Sequence, residues 1–270
     1  MSLIEEIVLG VTQGLTEFLP ISSTAHLRIV PAFFGWDDPG AAFTAVVQLG
    51  TMAAVLIYFR RDLLRITGTW LASLRDPSRR RDLDARLGWY LVIGTVPIAI
   101  FGFIFRDQIE SGARNLYLIG SALIALGLVL LYAERVGSHS RKLEQITTRD
   151  GVTIGLAQAL ALIPGVSRSG ATITAGLFEG LDRTSAARFS FLLSVPAVVL
   201  SGLFELRHFG TSDGTVGGLV VATLLAFVTG YASIAFLLRW LTTHSTAVFV
   251  AYRVGLGAVV IVLAAAGAIG

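Results

Sequence analysis

The sequence predicts an all-α integral membrane protein: six transmembrane helices plus two re-entrant helical hairpins, arranged as an inverted-topology repeat. Three observations lead there. Apolar residues make up 54% of the chain and charged ones 14%, with a mean hydropathy of +0.74, whereas about a quarter of a soluble domain is charged. Six apolar runs are each long enough to span a bilayer. Two further apolar stretches are broken by polar groups at matching places in the two halves of the chain. Length alone allows one or two domains, but a helical bundle in lipid makes 1–270 a single membrane domain.

Taken in order, the stretch 3–34 comes first, apolar but interrupted by Glu17, Pro20 and a run of hydroxyls. Runs at about 41–59, 87–105 and 116–133 follow, each near the roughly 20 residues a span requires. The second broken stretch, 151–183, carries Pro164, Gly165 and Arg168, and runs at about 187–205, 216–238 and 247–268 complete the chain. Each broken stretch is too interrupted for one helix and long enough for two half-helices meeting at a turn. Non-helical backbone at membrane depth needs protein or a water-filled cavity around it, so these turns predict the cavity.

The two stretches also match each other. "GVTQGLTEFLPISSTA" (10–25) lies over "GLAQALALIPGVSRSG" (155–170) without a gap, pairing Gly10 with Gly155, Gln13 with Gln158, Leu15 with Leu160 and Ser22 with Ser167, while Pro20 and Pro164 fall one step apart. Repeats of about 1–134 and 150–270 each hold one hairpin and three crossings. Three is odd, so the second half enters the membrane inverted. Broken helices at corresponding positions of inverted repeats place a binding site between the halves, near the midplane.

Charge sets the orientation. Residues 60–86 hold eight arginines (60, 61, 65, 75, 79, 80, 81 and 86), and 134–150 adds Arg135, Arg141, Lys142 and Arg149. Six crossings put both loops on one side, against Arg106, Arg114 and Arg207 on the other. The positive-inside rule makes the Arg-rich side cytoplasmic and puts the C-terminus outside. Topology thus explains the pI of 9.6 better than nucleic-acid binding does. The N-terminus "MSLIEEIVLG" lacks the basic region of a cleaved signal peptide. With no cysteine there is no disulfide, thiolate metal site or cysteine nucleophile. Four scattered histidines do not make a metal cage; His139, His208 and His244 fall in polar loops expected to be solvated.

That leaves "PGVSRSGAT" and "QGLTEFLPISSTAH". In the first, Pro164 ends the incoming half-helix, and Gly165 and Gly170 let the backbone turn and approach a ligand. Ser167, Ser169 and Thr172 supply hydroxyls. Arg168 supplies a forked cation suited to phosphate, and the restarting helix aims free N–H groups at the same point. In the second, Gln13 and Glu17 share a helix face, Pro20 breaks the helix, and Ser22, Ser23, Thr24 and His26 follow. If the two tips meet, Glu17 faces Arg168. The set suits phosphoryl transfer: Arg168 and turn amides neutralise charge, His26 acts as general base or acid, and Glu17 with Gln13 holds a divalent cation or orients His26. Ser23 or Ser22 is the nucleophile, or both only bind phosphate while water attacks. One carboxylate and a carboxamide are a sparse Mg²⁺ site, which a diphosphate would complete. Arg253, inside the last run, is either a further cation at the cavity or a carbonyl-paired helix residue. Asp182, before Thr184 and Ser185, reads as a helix start near the cytoplasmic surface, with Glu179 beside it.

Both motifs, together with "VVQLGTMAAV", "FSFLLSVPA" and "AYR", make the chain resemble the bacitracin-resistance family of undecaprenyl-diphosphate phosphatases along its whole length. The resemblance implies an enzyme of the bacterial inner membrane that removes one phosphate from undecaprenyl diphosphate and returns the carrier to peptidoglycan synthesis. It implies bacitracin resistance, because that antibiotic competes for the diphosphate. It implies a site open to the periplasmic side and dependent on Mg²⁺ or Ca²⁺. Carried over residue by residue, the family's acidic motif falls on Gln13 and Glu17, its serine and histidine on Ser23 and His26, and its phosphate-binding arginine on Arg168, flanked by Ser167, Ser169 and Thr172. The family's first place takes Glu or Gln, and members with two glutamates would hold a cation more strongly than Gln13 and Glu17 do; no role is carried onto Thr44.

A transporter or flippase for an anionic polyprenyl lipid is the competing reading, since paired broken helices also typify secondary transporters. A carrier would use Arg168 but would have no need of His26 and Ser23 as chemical groups. A purely structural scaffold leaves two polar hairpins unexplained. Oligomeric state stays open, a homodimer included.

Overall fold

The computed structural model describes the backbone of residues 1–105, 108, 115–205 and 216–270, with the side chains of 41 and 201–205 left aside. Arg106, Arg114, Arg207 and His208, which entered the charge and histidine expectations, lie outside the described residues. Eleven α-helices are described: α1 (Leu3–Phe18), α2 (Ser23–Phe34), α3 (Gly40–Tyr58), α4 (Arg60–Arg75), α5 (Leu83–Ile104), α6 (Leu116–Val136), α7 (Thr148–Ala159), α8 (Arg168–Phe178), α9 (Arg183–Glu205), α10 (Val216–Trp240) and α11 (Ala247–Ala265).

All six predicted runs coincide with helices. By length and composition, four described helices can cross a membrane (α5, α6, α10, α11), or five if α3 and α4, bent by 73° at Phe59, make one broken span. The fold is therefore all-α, multi-pass and membrane-associated. Both broken stretches fold as helix–turn–helix pairs, α1–α2 and α7–α8, with a 3₁₀ turn at Leu160–Leu162 in the second.

Each first arm packs on a helix of the other half, and small residues make that approach possible. A Cβ on Gly10 of α1 would stand 2.5 Å from the Ala222 carbonyl oxygen of α10, and a Cβ on Gly155 of α7 only 2.4 Å from Gly94 Cα of α5. Neither position accepts a side chain without the helices moving apart. Further contact runs along α6–α11, α3–α10 and α8–α9.

The segment 60–86 departs from the expected loop. Residues 60–75 are helical because Leu63, Ile66, Trp70 and Ser73 recur on one face and pack toward α5, where Trp70 meets Trp89 edge-on at 5.5 Å. The arginines between them hide this amphipathic period. Only Pro77–Arg81 keeps the exposed, loop-like character expected of the whole.

Polar clasps hold the ends. Asp182 caps α9 by accepting from the Ser185 amide at 2.7 Å, as expected. Glu134, at the end of α6, accepts from Arg183 at the start of α9 and from the Thr246 hydroxyl before α11. His139 is not simply solvated: its φ is 50° and its ring binds the Glu134 carbonyl at 2.9 Å, because the chain turns back on α6 there. His244 stays exposed and stacks on Trp240 at 4.0 Å.

Candidate active site

Two turns build the site. Pro20 cannot continue α1, whose C-cap Leu19 is already extended. The chain then passes through Ser22 at φ 74°, whose hydroxyl caps α2 by accepting from the Ala25 amide at 3.4 Å. In the second hairpin Gly165 sits at φ 90° and Ser167 at φ 71°, the latter capping α8 by accepting from the Gly170 amide at 3.1 Å. A positive φ in a serine costs of order 1–3 kcal/mol and tends to mark functional sites. The two strained serines are the aligned pair Ser22 and Ser167. Their side chains even repeat a second contact, Ser22 with Thr24 at 3.1 Å and Ser167 with Ser169 at 3.2 Å.

The tips meet. Arg168 ion-pairs with Glu17, their side chains 16% and 9% exposed. The other Glu17 oxygen accepts from the Ser23 hydroxyl at 2.6 Å and from the Gln13 carboxamide at 3.1 Å. A second tie runs from the Ser169 hydroxyl to the Leu19 carbonyl at 3.0 Å. The N-termini of α2 and α8 both open here, and the amides of Ser23, Thr24, Arg168 and Ser169 have no acceptor within the described structure. Two positive helix ends, a guanidinium and four free amides therefore converge on one carboxylate and one hydroxyl. Such a place attracts an oxyanion.

His26 belongs to the same turn but answers to different partners. Its Nδ1 bonds the Ser22 carbonyl at 2.7 Å and its Nε2 the Tyr252 hydroxyl at 2.7 Å. Glu17 thus positions Ser23 and Arg168; it does not orient His26, as one reading of the sequence had it. The spacing could not separate these options, since Ser23 and His26 share one face of α2.

Three expected ligand contacts are redirected inward. Arg253 is fully buried and spends its donors on backbone: Leu123 O at 3.3 Å, Pro20 O at 3.1 Å, Gly165 O at 3.2 Å and Val166 O at 2.9 Å. It is the carbonyl-paired residue of the two alternatives, and it ties both turns to α6 and α11. Thr172, also fully buried, bonds the Arg168 carbonyl at 2.8 Å and the Ser190 hydroxyl at 2.6 Å, so it faces α9 and not a ligand. The Gly170 amide is taken by the Ser167 cap; that residue is glycine because a Cβ would stand 2.7 Å from Arg253 Nη1. Sequence reasoning missed Tyr252, Ser190 and Thr51, whose hydroxyl oxygen accepts from the Gln13 carboxamide at 3.5 Å. The one signal for Tyr252 was its place beside Arg253 within an apolar helix.

The residues present fit a cation in part. Gln13 is buried, and its Oε1 has no hydrogen-bond partner. That orphaned oxygen sits on the residue whose amide nitrogen already contacts Glu17. Among the described residues no cluster of three or more acidic or histidine side chains could hold a metal. A hard cation here would take Gln13 Oε1, Glu17 and substrate oxygens.

The model of a family described as "Bacitracin resistance protein BacA" matches residues 6–259. The chain is 55% identical over 268 residues to an undecaprenyl-diphosphatase of Nocardioides sp., covering 98% of both chains. It is 54% identical over 272 residues to an undecaprenyl-diphosphatase of Mycolicibacterium smegmatis, covering 99% of this chain and 98% of that one. To an undecaprenyl-diphosphatase of Myxococcus xanthus it is 53% identical over 269 residues, covering 99% and 91%.

Proposed function

We infer, from the premise that the chain belongs to the BacA bacitracin-resistance family, that it is an undecaprenyl-diphosphatase. It hydrolyses the lipid diphosphate to undecaprenyl phosphate and inorganic phosphate, which returns the carrier to cell-wall synthesis. One observation in this chain carries the chemistry: Glu17 holds the Ser23 hydroxyl at 2.6 Å and Arg168 on its other oxygen. An anion binder alone has no use for a hydroxyl held against a carboxylate. That contact also speaks against a flippase, which needs the arginine and the helix ends only.

The steps follow from placement. The diphosphate binds where the helix ends converge, its charge neutralised by Arg168 and the free amides of α2 and α8. Ser23 attacks the terminal phosphorus as its proton passes to Glu17; the bridging P–O bond breaks and undecaprenyl phosphate leaves. Water then releases phosphate from the serine, with His26 as the proton acceptor. Ser22, Thr24, Ser167 and Ser169 line the phosphate cradle. Gln13 and Glu17 would hold Mg²⁺ or Ca²⁺, which when bound supplies further charge neutralisation on the phosphates.

The same proposal covers the membrane arrangement. The runs α3, α5, α6, α9, α10 and α11 are the six crossings, and α1–α2 and α7–α8 are re-entrant hairpins of an inverted repeat, 1–134 and 150–270. The nearly equal φ of Ser22 and Ser167, 74° and 71°, and the reciprocal glycine contacts of Gly10 and Gly155 support this reading. Orientation follows the arginines: loops 60–86 and 134–150 cytoplasmic, C-terminus outside, the site open to the periplasmic side of the inner membrane. Bacitracin competes for the same diphosphate, and a homodimer is compatible with the fold.

Phosphate release from a polyprenyl diphosphate by purified protein in detergent tests the function, with and without Mg²⁺ or Ca²⁺ and beside His26→Ala and Arg168→Ala. Metal-dependent release lost in both variants is the expected result. Well-folded protein that binds the lipid and releases no phosphate overturns it in favour of a transporter.

A further inference from the structure

His26 reaches the rest of the protein through two short bonds, and in the neutral ring only one assignment of protons satisfies both. Nδ1 lies 2.7 Å from the Ser22 carbonyl oxygen. A carbonyl has no proton to give, so Nδ1 carries the hydrogen and donates. In the neutral ring Nε2 is then the acceptor, and the hydroxyl 2.7 Å away, that of Tyr252, is the donor. The imidazole therefore rests with its single lone pair already engaged by a phenol.

The phenol is held in place. Tyr252 precedes Arg253 on α11, and Arg253 locks that turn of the helix to Pro20, two residues before Ser22, and to Gly165 and Val166 in the other turn. The same anchorage thus fixes α11 and the turn that orients His26. The two rings run nearly parallel, 6° apart, with centroids at 5.6 Å. The imidazole is buried at 5% exposure, while Tyr252 is half-exposed at 47%. The tyrosine is thus the outer member of the pair. Among the described residues its hydroxyl meets no hydrogen-bond partner besides His26.

We propose that Tyr252 is a positioning residue for the phosphatase reaction: its hydroxyl sets the ring angle and tautomer of His26. This rests on the diphosphatase reading above. The imidazole that takes the proton of the attacking water is the one whose ring angle and tautomer Tyr252 fixes. The hydroxide so formed bonds phosphorus as the P–O bond to Ser23 breaks, and Ser23 Oγ takes back the proton held by Glu17.

Tyr252→Phe tests this, because it keeps the ring contact and removes only the hydroxyl. On polyprenyl diphosphate the variant should lose about 10- to 100-fold in kcat, the range expected for an orienting partner of a functional histidine. KM should stay within about threefold, since loss of positioning acts on the chemical step and not on ground-state binding. In the residual turnover of His26→Ala, followed at high enzyme concentration, the same change should cost nothing further, because coupled residues are not additive. Independently of activity, ¹⁵N-histidine NMR of the wild type, with the His26 signals identified by their loss in His26→Ala, should show a protonated Nδ1 and a hydrogen-bonded Nε2. The Nε2 signal alone should move in Tyr252→Phe. Wild-type kcat in Tyr252→Phe, a pure KM effect, an additive loss with His26→Ala, or an unmoved Nε2 signal would each overturn the proposal. Inactive wild-type protein with the NMR signature intact would instead sink the diphosphatase reading and leave the His26–Tyr252 contact standing.

Discussion

Glu17 and Arg168, 151 positions apart in the chain, form one ion pair at the meeting point of two helix–turn–helix units. Ser23 and Arg168 hold the equivalent place in each unit, directly after the strained serine, yet one is a hydroxyl and the other a cation. Glu17 binds both. The pair of turns is therefore alike in backbone and complementary in chemistry, so neither half makes the site alone.

Arg168→Lys follows from that geometry. A lysine can replace the charge but not the fork that serves Glu17 and an oxyanion together. Loss of one such stabilising donor costs on the order of 100-fold in kcat. Steady-state kinetics on the lipid diphosphate should show that loss, and a variant within threefold of wild type would mean Arg168 acts as a bare point charge.

Ser23 and Ser22 separate in the same assay. Ser23→Ala removes the hydroxyl held by Glu17 and should abolish turnover. Ser22→Ala removes a cap worth about 1 kcal/mol and should lower Tm while leaving measurable activity. Acid quenching with substrate labelled in its terminal phosphate should trap label on wild-type protein and none on Ser23→Ala. Full activity in Ser23→Ala would assign the attack to water.

The meeting of Glu17 and Arg168 was legible in the sequence, because a buried charge needs a partner and only two polar turns could supply one. The six apolar runs were legible for the same thermodynamic reason. Arg253 was legible only as two alternatives, because its partners are carbonyls of Pro20, Leu123, Gly165 and Val166, and backbone acceptors leave no mark in side-chain pattern to choose between them. Tyr252 was hidden by distance: its contact with His26 spans 226 positions. Helix α4 was hidden by its own arginines, which lower the local hydropathy without disturbing the helical period of Leu63, Ile66 and Trp70.

Arg253→Met keeps the stem and deletes the guanidinium. Four buried carbonyls then lose a donor, each at a cost of about 1–3 kcal/mol where no replacement is found. Thermal unfolding in detergent should show a clearly lower Tm, and activity should fall with it. A normal Tm with a raised KM would return Arg253 to the substrate-binding role expected from sequence.

Gln13→Glu probes the orphaned oxygen. A second carboxylate at that point adds charge to a site otherwise built from Glu17 and substrate, and ligand charge tunes affinity for hard cations. The concentration of Mg²⁺ or Ca²⁺ giving half-maximal activity should drop by about tenfold. Direct titration of Mn²⁺ followed by its electron paramagnetic resonance reads the same change without turnover. No change in either would place the cation elsewhere or remove it from the mechanism.

Arg141 and Asp150 close the base of the second hairpin. Arg141 donates to both Asp150 oxygens, at 3.0 and 2.6 Å, and to the Glu179 carbonyl at 2.6 Å, so it joins the start of α7 to the end of α8. Burial pushes the Asp150 carboxyl up, but the Arg141 fork and the Thr147 donors outweigh it and hold it below its ordinary value of 3.8. A carboxyl lowered by folding stabilises the protein at every pH above its unfolded value and loses that contribution as pH falls through the folded one. The Tm of wild-type protein should therefore owe a constant increment to this pair from neutrality down to about pH 4 and lose it below. Asp150→Asn should have a lower Tm at neutral pH, with the gap to wild type narrowing under acid. A gap that persists unchanged at pH 3 would mean that Asp150 acts through the hydrogen bonds it accepts from Thr147, weakened by asparagine at every pH, and not through its charge.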